Sequence, residues 1–433
     1  SLIIFSLSVF GQISEQVLAV ANGQKFAVKD LPANVREQYT KLSATVAATR
    51  KELLSLQIVE SLLEQEAAAR KISVEALREK EIKAKVPNPK DNEIESVYNA
   101  NREAIGNKTL GQVRFQIVNF LRAEPEQKLL IALVNRLKVK YKPTIFKDVN
   151  AVNLKPADVL ARIGTKTITA KNFEEKNKVA IYETKAKVFD LVKFALNQMI
   201  FSALVAAEAK VQNVEPGVLI AQEITDKMRE FSEEERDTLE TDFRKRLFVK
   251  YKTQILLKEP APIALNITTA GNPAKGNENA TVTVVMFSDF QCSACAATHP
   301  VLQKVLTEYG EKVRFVVRYF PLVNAHENAF QAALAAESAN LQGKFFEYTE
   351  ILYRNQDALD NESLKKYAAD AGLNLEQFAL DLQSEKVAAR VRQDMTDGRS
   401  YGIAGTPSIY VNGIKVRVLS ADGFREAIDK ALR

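Results

Sequence analysis

The stretch Phe287-Ser288-Asp289-Phe290-Gln291-Cys292-Ser293-Ala294-Cys295 decides how the rest of the chain is read. Cys292 and Cys295 are the only two cysteines among 433 residues. An apolar, β-branched run from Thr281 to Met286 precedes them, and a helical pattern follows. The local reading is strand, short loop and helix, with Cys292 at the helix N-terminus. Unbonded N–H groups and the helix dipole favour an anion there, so a Cys292 thiolate should form near neutral pH. Cys295 lies one turn further on, within reach of a mixed disulfide on Cys292. A pair so spaced can pass two electrons between dithiol and disulfide forms.

Other uses of the two cysteines fit less well. A zinc site needs about four ligands. The chain adds only His299 and His326, which lack paired-ligand spacing, so no metal is expected. A purely structural disulfide across two residues would close almost no loop and stabilise little. No cofactor is called for. The helix and the loop around His299 and His326 account for both as structural residues.

At this length two or three domains are expected. Net charge is +6. Residues 281–433 hold 17 Lys and Arg against 19 Asp and Glu, or −2, which leaves +8 on the first 280 residues. Those charges are mixed in sign and spread along helical patterns, which reads as a solvated surface and not as a nucleic-acid footprint. The start, Ser1 to Gln12, is an apolar run too short to span a bilayer and lacks an initiator methionine. Val9 and Gly11 are small residues at cleavage-site spacing, so residues 1–11 read as a signal-peptide remnant, with a buried N-terminal strand as the alternative. No later segment reads as a membrane span. Export would put the cysteine pair in a periplasmic or other extracytoplasmic compartment, where thiol chemistry on clients is useful.

Residues 12–150 read as mainly helical. Val17–Phe26 is a short hairpin turning at Asn22-Gly23, followed by a long helix to about Arg70. Further helices are expected near 93–105, 110–121 and 126–141. The plan then repeats over 151–258. A shift of 142 pairs Leu62-Leu63-x-x-Glu66-Ala67 with Leu204-Val205-x-x-Glu208-Ala209, and a shift of 110 pairs Val139-Lys-Tyr-Lys142 with Val249-Lys-Tyr-Lys252. The second copy is therefore about 32 residues shorter in its middle. This order of elements resembles the N-terminal peptide-binding domain of the SurA chaperones and, more broadly, trigger-factor-like domains. The resemblance implies an arm that holds unfolded segments; a structural or dimerising arm, giving a homodimer, is the alternative.

Residues 259–280 read as a linker, stiff at Pro260-Ala-Pro262. From Thr281 strands and helices alternate: strand 281–287, helix 292–309, strand 312–320, several helices over about 326–396, a hairpin at Asn412-Gly413 and a closing helix 421–432. The segments Phe287–Cys295, Tyr319-Phe-Pro321-Leu and Gly402-Ile-Ala-Gly405-Thr406-Pro407 together resemble the DsbA-like branch of the thioredoxin superfamily. The expected fold class is thus α+β and multidomain: a helical region with two repeats, then a thioredoxin fold with a helical insertion. The resemblance implies a thiol–disulfide oxidoreductase with Cys292 as nucleophile and Cys295 as resolving thiol. It also implies a cis Thr406–Pro407 bond facing them. Asp289 is a candidate proton acceptor for Cys295 or, equally, a loop cap. Ser293-Ala294 departs from the branch, which usually has proline after the first cysteine, and it offers the thiolate no imidazole. The expected partners are unfolded or cysteine-containing exported proteins and a membrane or soluble redox partner that recycles the dithiol. A holdase with a non-catalytic accessory domain is the alternative function.

Overall fold

A computed structural model describes residues 14–433. The signal-peptide reading of residues 1–11 lies outside the described residues. β1 (Val17–Ala21) and β2 (Gln24–Ala27) pair with a register shift between Val17 and Ala19 and bury Leu18, Ala19, Ala21, Phe26 and Ala27. Asn22 and Gly23 adopt φ values of 48° and 76°, the left-handed pair that a two-residue hairpin requires. Helices α1 (Ala33–Thr40) and α2 (Leu42–Ala69) follow. Ser73 caps α3 (Val74–Glu81) by accepting from the Ala76 N–H at 3.0 Å. Next come α4 (Asp91–Ala100) and α5 (Leu110–Tyr141).

The sequence suggests two helices where α5 is one, continuous through Pro125. A proline inside a helix costs roughly 3 kcal/mol. The side chain of Arg122 ties this part of the helix to the preceding segment, donating to Glu126 Oε1 at 3.0 Å, the Val86 carbonyl at 2.7 Å and the Lys83 carbonyl at 2.8 Å. Ile117 on one side of the proline and Leu133, Val134 and Leu137 on the other are buried, so packing holds both halves in line.

Strands β3 (Thr144–Ile145), β4 (Val159–Ile163) and β5 (Lys166–Thr169) form an antiparallel sheet in that order. Helix α6 (Ala170–Gln212) runs for 43 residues. Contrary to the sequence reading, it contains a stretch of mean hydropathy 1.5 that matches a membrane span in length and composition; half of that stretch is buried within the protein. Val192, Leu196, Leu204 and Val205 join a core with Leu18, Phe26 and Leu31. The apolar length of α6 thus reflects core packing on several sides. Helices α7 (Pro216–Glu223) and α8 (Glu233–Lys250) lead to β6 (Gln254–Ile255), which pairs with β1.

Two compact units result, and neither is continuous in sequence. The first takes residues up to Ser55, Asp148–Asp158 and Ala170–Ala261; the second takes Leu56–Lys147, Val159–Thr169 and Pro262–Arg433. Unit edges fall inside the expected helical region, at 55/56, 147/148, 158/159 and 169/170, and close to its expected end, at 261/262. The reason lies in strand pairing. The β1–β2 hairpin closes onto β6 and α6, whereas β4–β5 closes onto β3 and the end of α2, where Gln65 Nε2 donates to the Ile163 carbonyl at 2.6 Å.

The C-terminal part of the second unit is built on a five-stranded sheet. Its strands are β7 (Ala274–Lys275), β8 (Val282–Ser288), β9 (Val313–Tyr319), β10 (Ser408–Val411) and β11 (Ile414–Lys415), in spatial order β11-β10-β8-β9-β7. β8 and β9 are parallel, joined through α9 (Ser293–Tyr309). The other pairs are antiparallel. β8 is buried on both faces. Val282, Val284 and Met286 face one core with Phe315, Val317 and Ile409, while Val285 and Phe287 face another with Val316, Phe320 and Tyr410. Burial on both sides explains the near-continuous apolar run before the cysteines. Part of the expected linker is structural. Ala274–Lys275 is an edge strand, and the Leu265 N–H donates to the Gly413 carbonyl at 2.9 Å. A Cβ on Gly413 would lie 2.0 Å from the Leu265 carbonyl oxygen, so this close approach needs glycine. Five helices fill the expected insertion: α10 (Ala329–Leu341), α11 (Phe345–Arg354), α12 (Asn361–Asp370), α13 (Leu375–Leu382) and α14 (Glu385–Ser400). Helix α15 (Ala421–Leu432) ends the chain.

Candidate active site

Strand β8 ends at Ser288, and the loop Asp289–Cys292 carries the chain into α9 with Cys292 as its N-cap residue. Both thiols are free. Cys292 is 8% exposed and Cys295 fully buried. The backbone turns tightly here: the N–H groups of Cys295 and Ala296 donate to the Cys292 carbonyl at 3.0 and 3.1 Å. Gln356 Nε2 binds the carbonyls of Phe290 and Cys292, each at 2.9 Å, and so pins the loop to the helical insertion.

The site polarises its two thiols in opposite directions. Hydrogen bonding from Cys295 is the largest influence on Cys292, and Thr406 and the backbone N–H groups of Cys295 and Ala294 add to it. Against the opposing effect of burial, they bring the Cys292 thiol down to about 5. Burial pushes Cys295 well above the ordinary thiol range, and its bond to Cys292 adds to that. Cys292 is therefore the thiolate and Cys295 the protonated reserve.

Opposite the cysteines, the Thr406–Pro407 peptide bond is cis. Cys292 Sγ lies 3.5 Å from the Thr406 carbonyl oxygen. Ser408 follows at once in β10, in register with Phe287 of β8, so strand pairing fixes the Thr406 backbone against the cysteine loop. Thr406 and Pro407, more than a hundred residues from Cys292 in sequence, thus meet it in space.

Asp289 is 1% exposed and fully engaged. Its Oδ1 accepts from the Gln291 N–H at 2.8 Å. Its Oδ2 accepts from the Leu322 N–H at 2.8 Å and lies 2.8 Å from His326 Nδ1. The interaction of Asp289 with Cys295 runs through the Asp289 backbone. Of the two roles read from the sequence, the geometry displays loop capping. Ser288 Oγ lies 2.6 Å from the Tyr353 hydroxyl, and Tyr353 packs on His299, with ring centroids 4.7 Å apart. His299 Nε2 lies 2.7 Å from Glu350 Oε1. Among the described residues no group of three or more His, Cys, Asp and Glu side chains is arranged to hold a metal ion.

Residues 268–430 match the family profile described as thioredoxin. The C-terminal region has a thioredoxin-like fold. The chain is 36% identical over 167 residues to the Na(+)/H(+) antiporter NhaA 1 of Mycolicibacterium gilvum, covering 37% of this chain and 27% of that protein. It is 37% identical over 139 residues to the Na(+)/H(+) antiporter NhaA 3 of Salinispora tropica, covering 32% and 21%. The chain thus spans about a quarter of the length of the curated relatives it matches. Among solved structures, a thioredoxin-like oxidoreductase from Silicibacter pomeroyi is 28% identical with a TM-score of 0.35, covering 38% of this chain and 93% of that one. Oxidised BdbD from Bacillus subtilis is 26% identical with a TM-score of 0.36, covering 40% and 99%.

Three contributors to the thioredoxin-like site lay beyond local sequence reasoning. His326, Tyr353 and Gln356 come from the loop after β9, from α11 and from just beyond it. No spacing signal ties them to Cys292. Asn119 of α5 also reaches this part of the second unit, its Nδ2 donating to the Asn324 carbonyl at 3.0 Å in the loop that carries His326.

Proposed function

We propose that the chain is an exported thiol–disulfide oxidoreductase that acts on unfolded, cysteine-containing proteins. The observation that carries this reading is the split between the two thiols, Cys292 down to about 5 and Cys295 far above its usual range. In the oxidising direction a client thiolate attacks Cys292 of the disulfide and the Cys295 sulfur leaves, taking up a proton. A second client thiolate then attacks the client sulfur of the mixed disulfide and expels Cys292 as thiolate. Two electrons pass from client to protein. The reverse sequence reduces a client disulfide. A thiolate as stable as Cys292 is a good leaving group and stabilises the dithiol form, which favours donation of the disulfide. Pro407 and the Thr406 carbonyl border the approach to Cys292, where an extended client backbone can lie.

Residues 12–258 serve in this reading as a client-holding arm. Their apolar side chains Phe120, Val139, Phe194 and Phe231 are 68%, 76%, 65% and 73% exposed. Holding a client on the same chain raises its effective concentration at Cys292. A separate redox partner returns the dithiol to the disulfide. The deciding experiment is equilibration of the Cys292–Cys295 pair with glutathione. A potential above about −200 mV supports disulfide donation, and a value near about −270 mV overturns that direction in favour of reduction or isomerisation.

A further inference from the structure

Asp289 is a buried carboxylate three residues before Cys292. Its oxygens take two backbone N–H groups and one side chain, that of His326. A buried carboxylate is costly unless paired and hydrogen-bonded. When Cys292 ionises, its negative charge develops three residues from this carboxyl, and like charges held close together repel. A positive charge held at Asp289 would offset that repulsion.

The groups around the cluster narrow the choice. Cys295 stays protonated through burial. Tyr353 on α11 stays neutral for the same reason, its hydroxyl bonded to Ser288. His299 on α9 is turned to Glu350 of α11. Glu327, next to His326, is exposed. Among the described residues, the only ion pair to Asp289 comes from His326. Backbone bonds hold the loop that carries the imidazole. The His326 backbone N–H donates to the Leu322 carbonyl at 2.9 Å, so the loop curls back onto Asp289. The Asn328 N–H donates to Gln291 Oε1 at 2.8 Å, tying that loop to the cysteine loop. The His326 side chain is 22% exposed, so its proton can exchange with water.

We propose that His326 is a positioning residue of the dithiol: its imidazolium, bound to Asp289, is the counter-charge that allows the buried carboxylate and the Cys292 thiolate to coexist. This rests on the reading of Cys292 as the redox nucleophile. It assigns to a distant loop the imidazole that Ser293-Ala294 does not provide. The upward shift of His326, caused first by its bond to Asp289 and increased by the Cys292 charge, agrees with this coupling.

Coupling is reciprocal, and that gives a test without mutation. With only two histidines in the chain, both imidazoles can be titrated by NMR in the dithiol and disulfide forms of the full protein. His326 is expected to titrate lower in the disulfide form, where the Cys292 charge is gone. His326→Gln keeps a hydrogen-bond donor without the charge. It is expected to raise the Cys292 pKa, read from thiolate absorbance at 240 nm, by about one unit. In an Asp289→Asn background the same substitution should have little further effect. Identical His326 titration in both redox forms, with an unmoved Cys292 pKa in His326→Gln, overturns the proposal. So does an equal shift in both backgrounds, which would show that Asp289 has no part in it. Lack of exchange with glutathione, with the His326 shift intact, would instead overturn the proposed function and leave the charge coupling standing.

Discussion

Both halves of this protein bury carboxylates, and the partners they are given separate a scaffold from a site. In the helical region Glu66 is bound by Arg70, Lys140 and Tyr141, and Glu208 by Gln212, Lys250 and Tyr251. Lysine, arginine and tyrosine keep one charge state across the physiological range, so these acids are neutralised permanently. In the thioredoxin-like region Asp289 is given a histidine and lies three residues from Cys292, and both the imidazole and the Cys292 thiol can change charge with pH or redox state. Reactivity here follows from partners that titrate, and not from burial of an acid as such.

The largest effect that would break this comparison concerns Cys292. Cys292→Ser should abolish exchange with glutathione, a loss on the order of a thousandfold or more, while the helical signal is kept. In the reduced wild type the sign of the pH dependence is also set. Because the Cys292 thiol is lowered to about 5, the thiolate is present above that pH and lost below it. Alkylation by iodoacetamide should be flat from pH 6.5 to 8 and fall about tenfold per unit below 5. A rate that climbs tenfold per unit between 6.5 and 8 would mark an ordinary thiol and remove the distinction between the two regions.

A second test asks whether every buried pair in the thioredoxin-like region is tuned for chemistry. Arg318 and Asp394 are 1% and 0% exposed, with Arg318 Nη2 2.7 Å from Asp394 Oδ1. Asp394 also accepts from Asn272 and from the Tyr319 N–H. This pair is structural, like those of the helical region, and far more buried. Arg390 Nη2 lies farther off, 3.6 Å from Asp394 Oδ1. Arg318→Leu should remove the close, fully buried partner and destabilise the region by about 3–5 kcal/mol in urea unfolding. A cost below about 1 kcal/mol would show that Arg390 and the neutral donors suffice for Asp394.

What the sequence revealed follows the same division. The strand–loop–helix around Cys292 was legible because the chemistry and the secondary structure share one short segment. Thr406 and Pro407 were legible only through resemblance, since a strand pairing brings them to Cys292. His326 was read as structural because nothing in its neighbours points to Asp289, 37 residues away. The single helix through Pro125 was missed because local propensity argues for a break, whereas burial of Ile117 on one side and Leu133, Val134 and Leu137 on the other holds it in line. The compact units of the helical region depend on which strand closes each hairpin, and a pattern read along the chain does not contain that.

The smallest predicted effect is the most discriminating within the helical region. Two acids of this region have partners of the same kinds: Glu66 with Lys140 and Tyr141, Glu208 with Lys250 and Tyr251. The sequence separations from Glu to Lys are 74 and 42 residues. One position differs in kind. Four residues after the acid stands Arg70 in the first half and Gln212 in the second. Burial opposes ionisation of Glu66, but the bonds from Lys140, Arg70 and Tyr141 outweigh it and hold the carboxyl at about 2, against an ordinary 4.5. Glu208 is lowered chiefly by Lys250, with Gln212 next. Two cations against one should appear in stability: Glu66→Gln is expected to cost about 2 kcal/mol and Glu208→Gln about 1 kcal/mol in urea unfolding at pH 7. The sign with pH follows from the lowered value. The Glu66 contribution is complete above about 4.5 and fades as pH falls through 2, so the deficit of Glu66→Gln should shrink between pH 4.5 and 2. Equal costs for the two substitutions would mean that Arg70 adds nothing beyond what the glutamine amide of the other half already supplies.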